Sequence, residues 1–150
     1  MSNLIQDNVQ ERFSHYLQNN GLKLTSERLV ILKESLATEG HFEADDLLVI
    51  LKQKGCKTSR ATVYRTLEIL ALAGILRKVY LGGSAIQFEK AFGLPHHDHM
   101  VCQNCGARFE FESPELQKLK DELGHKHNFA VTDYGMQIFG LCANCAGAMK

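Results

Sequence analysis

The sequence predicts an α+β chain in two parts, an N-terminal winged helix-turn-helix followed by a small α+β unit, and three observations predict it. Apolar residues recur with helical period through the first half. The period then shortens to that of strands on either side of Gly82-Gly83. Beyond Pro95 come a second hairpin pattern, a helix and more strand, with two evenly spaced cysteine pairs among them.

Each element has its own signal. Residues 7–19 place Val9, Phe13, Tyr16 and Leu17 on one face, with Gly21 as a stop. Thr25 is the N-cap of a second helix carrying Leu29, Leu32 and Leu36 and ending near Gly40. A third runs from Glu43 to Lys54, with Glu43, Asp45 and Asp46 at the positive end of its dipole and Lys52 and Lys54 at the other. Thr58 or Ser59 caps a fourth, which runs to Gly74 and buries Val63, Leu67 and Leu70. RKVYLGGSAIQFE then reads as two short strands, a wing. That order makes a winged helix over residues 1–90. AFGLP, residues 91–95, is a hinge. Within 96–150, residues 97–103 and 107–112 form a hairpin turning at Asn104 to Gly106. Ser113-Pro114-Glu115 opens a helix that buries Leu116, Leu119 and Leu123, and 129–141 supplies one or two strands. A unit of about 55 residues is marginal without a metal or a second copy of itself.

Composition bounds the chemistry. With 150 residues, 45% hydrophobic and 23% charged, the chain is expected to fold. Its 17 basic and 17 acidic residues cancel, which by itself speaks against a polyanion as partner. The cancellation is uneven. Residues 1–90 sum to +2 and 91–150 to −2, while Lys52 to Lys78 holds seven basic residues and only Glu68 against them, +6. The longest apolar run, Ile69 to Leu76, is far short of the ~20 residues a bilayer needs, so no membrane partner is expected. MSNLIQDNVQERF shows no basic-then-apolar leader. The cysteines are therefore expected as thiols in the cytoplasm, where regular spacing favours metal over disulfide. Cys56 stands apart from the other four.

Cys102-Gln-Asn-Cys105 and Cys142-Ala-Asn-Cys145 are paired knuckles. Two thiolates three residues apart take adjacent vertices of a zinc tetrahedron, and two such pairs close it, leaving no open position and hence a structural role. A redox CxxC or two unconnected thiol pairs are the competing readings. In His96-His97-Asp98-His99, strand alternation sets His97 and His99 on one face, about 6.6 Å apart, and His96 and Asp98 on the other. An exposed polar run on an edge strand is the bland alternative. Glu89 and Glu110 are carboxylates that can join such a cluster, whereas His41 alone reads first as an exposed turn histidine. On the fourth helix, Arg65 and Ala61 lie opposite the buried stripe with Thr62 and Tyr64 on the flanks. That face suits the major groove, where Arg forks onto guanine, or else is simply solvated. Lys23, Arg60, Thr62, Tyr64 and Arg65 are the candidate DNA contacts. There is no HExxH and no nucleophile elbow, so no catalytic residue is expected. A metallohydrolase built on the histidine cluster would leave the basic helix unexplained.

With these residues in hand, the chain resembles the ferric uptake regulator (Fur) family over nearly its whole length. The carriers are GLKLTSERLVIL at 21–32, HFEADDL at 41–47, SRATVYRTLEIL at 59–70, QFE at 87–89, HHDHMVCQNCG at 96–106, FEF at 109–111 and GLCANC at 140–145. The resemblance implies a homodimeric, metal-dependent transcriptional repressor. It would have a winged-helix DNA-binding domain, a C-terminal dimerisation domain, palindromic double-stranded operator DNA as partner and one structural zinc per subunit. It also implies a regulatory site of His41, Glu89, His97, His99 and Glu110 for Fe(II), with Mn(II) or Zn(II) as surrogates, and so promotes His41 to a ligand. For the family's second metal site His96 and Asp98 match, but Gln117 and Tyr134 stand where Glu and His are expected, so the site depends on His125 or His127 substituting. Glu89, Glu110 and Arg65 resemble the iron-responsive branch; peroxide-sensing relatives carry Asp, Asp and Asn there, and a peroxide sensor is the alternative.

Overall fold

The computed structural model of the chain describes residues 2–148. Its elements, in chain order, are α1 (Ser2–Asn19), α2 (Ser26–Ala37), β1 (Phe42–Glu43), α3 (Ala44–Gln53), α4 (Arg60–Leu72), β2 (Leu76–Val79), β3 (Gln87–Lys90), β4 (Asp98–Cys102), β5 (Arg108–Phe111), α5 (Pro114–Lys126), β6 (Gln137–Gly140) and α6 (Ala143–Ala148). They fall into two compact units, one of residues up to 79 with 85–94, the other of 80–84 with 95 onward. No helix among the described residues is long and apolar enough to cross a membrane.

The first unit is built on the helical periodicity of the sequence. Val9, Phe13 and Leu17 of α1, Ile31 and Leu32 of α2, Leu47 and Leu51 of α3 and Val63, Leu67 and Leu70 of α4 form one continuous core from which water is excluded. Each such side chain contributes about 1.5–3 kcal/mol by leaving water. Caps set the helix starts: Thr25 accepts from the Arg28 N–H at 3.2 Å and Ser59 from the Thr62 N–H at 3.1 Å. Of the two residues expected to cap α4, Ser59 is the one that does so. At its other end Gly74 adopts φ +71°, and Arg12 donates from Nε to the Ala73 carbonyl at 2.9 Å, placing a cation where the helix dipole is negative.

One element here was not anticipated. The sequence reads as starting the third helix at Glu43, yet Phe42 and Glu43 form β1 and the helix begins at Ala44; β1 pairs antiparallel with β3 in the register Phe42↔Phe88 and Glu43↔Gln87. The sheet order is β1-β3-β2, so the wing has a third strand, held by Phe42 stacked on Phe88 with ring centroids 6.1 Å apart. Two residues are too few to show a period.

In the second unit β4 is central in the order β5-β4-β6, antiparallel to β5 and parallel to β6, with α5 in the crossover between β5 and β6. Ser113 caps α5 by accepting from the Leu116 N–H at 3.3 Å, with Pro114 at the first turn as expected. The expected burial of that helix is not what the structure shows. Leu119 and Leu123 are 48% and 47% exposed, and Gly124 is the one residue of α5 that is buried. The strand expected across 129–141 is confined to β6, and Cys142 leads into α6, which the sequence did not announce. Phe109, Met100 and Ile138 stand in one row across the sheet by register, and all three are exposed. This unit lacks the apolar interior that the first unit has.

Candidate metal centres and nucleic-acid surface

The four paired cysteines converge. The sulfurs of Cys102, Cys105, Cys142 and Cys145 all lie within 4.8 Å of one another, and Cys105 Sγ is 3.8 Å from Cys142 Sγ. A zinc tetrahedron with Zn–S near ~2.3 Å has edges of about 3.8 Å, so the donor set fits that ion. Cys102 ends β4 and Cys105 lies on the turn after it, Cys142 precedes α6 and Cys145 lies within it, and the register Cys102↔Gly140 carries one pair to the other. The Cys142 N–H donates to Cys102 Sγ at 3.3 Å, and Asn104 Nδ2 to Cys145 Sγ at 3.3 Å. Backbone N–H groups of Cys105 and Cys142 draw the Cys102 thiol down to about 6, in the range where it presents a thiolate at neutral pH. At Cys105 the Ala107 N–H acts in the same sense, but the sulfurs of Cys102, Cys145 and Cys142 outweigh it and push that thiol up to about 11. Crowded sulfurs that resist sharing negative charge are relieved by a divalent cation. Neither CxxC pair is closed as a disulfide.

The histidine and carboxylate candidates are set by strand register within each unit. Continuing the β1–β3 register by one residue puts His41 opposite Glu89, and His41 Nε2 lies 2.8 Å from Glu89 Oε2. Arg77 Nη1 approaches the other oxygen, Oε1, at 3.4 Å. The unanticipated strand β1 is thus what makes His41 more than a turn histidine; the signal lay in an aromatic, Phe42, matched by Phe88 next to Glu89. In the second unit His99 lies in β4 and His97 just before it, their rings edge to face with centroids 4.9 Å apart. His99 pairs in register with Glu110, and His97 Nε2 lies 3.9 Å from Glu110 Oε1.

On the opposite face the second set of candidates does not assemble. The His96 ring stacks on Tyr134 with centroids 3.9 Å apart, and its Nε2 is 3.2 Å from Asp98 Oδ1, which also accepts the Met136 N–H at 2.7 Å. Lys120 Nζ lies over the other occupant, 5.2 Å from the Tyr134 centroid. An aromatic ring therefore packs on His96 where a further ligand was sought. His125 and His127, at the end of α5, are exposed, and among the described residues no cluster of three or more donors includes them.

The α4 surface carries the nucleic-acid candidates. Ala61, Tyr64 and Arg65 are exposed and Thr62 partly so, opposite the buried Val63, Leu67 and Leu70. Lys23 is exposed on the connection between α1 and α2. The tertiary structure changes the charge picture. Within the +6 stretch, Lys54 pairs with Glu34 at 2.7 Å, Arg60 with Asp45 at 2.8 Å, Lys78 with Glu68, and Arg77 with Glu89 at 3.4 Å. Lys52, Lys57 and Arg65 carry no ion pair among the described residues. Three of the compensating acids lie outside the stretch in sequence, so the local sum overstates the free charge.

Comparison with known proteins bears on all of this. The model of the Ferric uptake regulator family matches residues 19–139. The ferric uptake regulation protein of Campylobacter jejuni is 35% identical over 147 residues, 97% of this chain and 93% of that protein. The solved structure of the Helicobacter pylori ferric uptake regulator Fur, described as having three functional metal binding sites, superposes with a TM-score of 0.70 at 26% identity, covering 94% of this chain and 93% of that one. A zinc uptake regulator solved with zinc and DNA gives a TM-score of 0.60 at 25% identity, covering 97% of each chain. The chain therefore belongs to the ferric uptake regulator family of metal-responsive transcriptional regulators.

Proposed function

We propose that the protein is an iron(II)-responsive repressor that binds palindromic operator DNA as a homodimer in the cytoplasm. Each subunit holds one structural zinc on Cys102, Cys105, Cys142 and Cys145. One regulatory metal takes its donors from both units: His41 and Glu89 from the first, His97, His99 and Glu110 from the second. The observation that carries the reading is the His41–Glu89 pair at 2.8 Å, a half-set of nitrogen and oxygen donors formed on the unit that bears α4. Three imidazoles and two carboxylates make a harder set than four thiolates and suit Fe(II), Mn(II) or Zn(II), with availability deciding among them. An ion ligated from both units binds best to one arrangement of them and shifts the population toward it. In a two-fold dimer that arrangement sets the spacing of two α4 helices against successive half-sites, with Lys23, Arg60, Thr62, Tyr64 and Arg65 as the contacts. The exposed row Phe109, Met100 and Ile138 supports a second copy as the partner of the β4–β6 sheet. No catalytic step enters this scheme.

The test is operator affinity with and without metal, using a duplex that the protein itself selects from a randomised palindromic pool. Mn(II), or Fe(II) under anaerobic conditions, is expected to tighten binding. His41→Ala and His99→Ala each abolish the response while one zinc per subunit remains. Binding indifferent to metal overturns the proposal. Peroxide sensing is the competing reading, and it requires added oxygen on peptides bearing His41 or His97 and His99 after exposure to Fe(II) and peroxide; unmodified peptides exclude it.

A further inference from the structure

At the leading turn of α4, the first helical residue is not a free cation. Arg60 grips Asp45 of α3 with both prongs of its fork, Nε to Oδ1 at 2.8 Å and Nη2 to Oδ2 at 2.8 Å. The same Nη2 donates to the Tyr64 hydroxyl at 3.1 Å, and the guanidinium carbon lies 5.0 Å from the Tyr64 ring centroid. Arg60 thus ties an acid on the preceding helix to an aromatic side chain one turn further along α4. Together Arg60, Ala61 and Tyr64 line an open depression at the helix start. The hydrogen bonds from Arg60 hold the Asp45 carboxyl below its ordinary range, and Asp45 raises Arg60 in turn, so the pair stays ionised wherever the protein is folded near neutral pH.

The α3 dipole favours an acid in its first turn but does not require it to grip a guanidinium of α4, and packing does not either, because both side chains are more than half exposed. The value of the grip lies in what it withholds and what it orders. A guanidinium already bound bidentately does not condense onto any passing phosphate, so contact with random DNA gains nothing from it. A Tyr64 ring held by that guanidinium loses less rotamer freedom on meeting a base edge. We propose that Asp45 is a positioning residue for DNA recognition: by clamping Arg60, and through it Tyr64, it trades general attraction to DNA for discrimination of the operator. The inference rests on the reading of α4 as the DNA-entering helix and goes beyond it by assigning a role to an acid on the preceding helix.

The experiment compares the full-length, zinc-loaded protein with Asp45→Asn, Asp45→Glu and the double variant Asp45→Asn/Arg60→Gln. Each is bound, with Mn(II), to the selected palindromic duplex and to a random duplex of the same length, across a range of salt. Asp45→Asn is expected to tighten random-duplex binding and lower the ratio of operator to random affinity several-fold. It should also steepen the salt dependence on random DNA by about 0.9 in log–log slope, the signature of one more neutralised phosphate. Restoring the wild-type slope in the double variant, and retention of the ratio in Asp45→Glu, identify Arg60 as the group released. A merely structural role for Asp45 changes neither slope. If operator and random affinities rise together, or the slope of Asp45→Asn equals that of the wild type, the positioning role is wrong while the DNA-binding reading stands. If the wild type selects no duplex at all, the DNA-binding reading itself falls, and the inference with it.

Discussion

Loss of the zinc should unfold one unit and spare the other. In the first unit ten core side chains from four helices are sealed from water, each contributing about 1.5–3 kcal/mol. Of the apolar side chains on β4, β5 and β6, Val101 is buried, while Met100, Phe109, Ile138 and Phe139 remain exposed. A structural zinc contributes about 10–16 kcal/mol of binding free energy in small domains, several times what Val101 supplies, so the metal decides whether β4, β5 and β6 hold together. Cys142 is the most informative ligand to remove. Its sulfur is 3.8 Å from Cys105, its N–H binds Cys102 Sγ, and it joins β6 to α6. In Cys142→Ser, or after exhaustive chelation, hydrogen exchange should become fast in peptides covering 98–102, 108–111 and 137–140, with protection over 9–17 and 63–70 unchanged. Full protection of β6 in protein shown by metal analysis to be free of zinc would refute the reasoning, since it would mean that burial alone holds the sheet.

The remaining predictions concern the first unit. Ser59→Ala removes the cap of α4 and should lower stability by about 1 kcal/mol in urea unfolding, without altering zinc content. Phe13→Ala empties the centre of the core and should cost about 3–5 kcal/mol by the same measurement. Gly74→Ala forces a side chain into φ +71° with its Cβ 3.1 Å from Arg12 Nη2, and should destabilise by about 1 kcal/mol or more. For the Asp45 carboxyl, a depressed folded value means that the pair contributes above the ordinary aspartate value of about 3.9 and is lost as pH falls through the depressed one. An NMR titration should therefore find its midpoint below that of an unpaired aspartate, and Arg60→Gln should move it back up. Arg65→Ala should cost about 1–3 kcal/mol on the selected duplex and relax the preference at one base position; an equal loss on every sequence would make it a phosphate contact instead.

What the sequence disclosed and what it hid follow from the range of the interactions. Helix faces are local: the period of Val63, Leu67 and Leu70 is written in one window, and so are the Thr25 and Ser59 caps. Cysteine spacing is nearly as explicit, because each knuckle occupies four residues and only the meeting of the two needs the fold. The β1 strand escaped because its partner lies about forty-five residues on, and Phe42↔Phe88 has meaning only once both are placed. Periodicity assigns Leu119 and Leu123 to a core, but a stripe records only that some surface must cover those residues, and among the described residues they stay about half exposed. The charge run from Lys52 to Lys78 misled in the opposite way: Glu34, Asp45 and Glu89 are distant in sequence and adjacent in space.

The two donor sets also divide the labour of the protein by their chemistry. Four thiolates, three of them bonded by backbone or amide N–H groups, enclose a soft ion completely. Such a site leaves no position for exchange and so cannot report a changing concentration. The His41–Glu89 pair is different in kind. Glu89 is already shared between an imidazole at 2.8 Å and the Arg77 guanidinium at 3.4 Å, so an arriving cation must compete with a charge the protein supplies itself. That competition weakens binding, and a weaker site is half-filled at a higher free-metal concentration, which is what a sensor requires and a staple does not. Arg77→Gln should therefore tighten Mn(II) binding, read by calorimetry on zinc-loaded protein, and shift the metal response of operator binding to lower concentration. Unchanged Mn(II) affinity in that variant would show that Arg77 does not compete for Glu89, and the threshold would have to be set by the imidazoles alone.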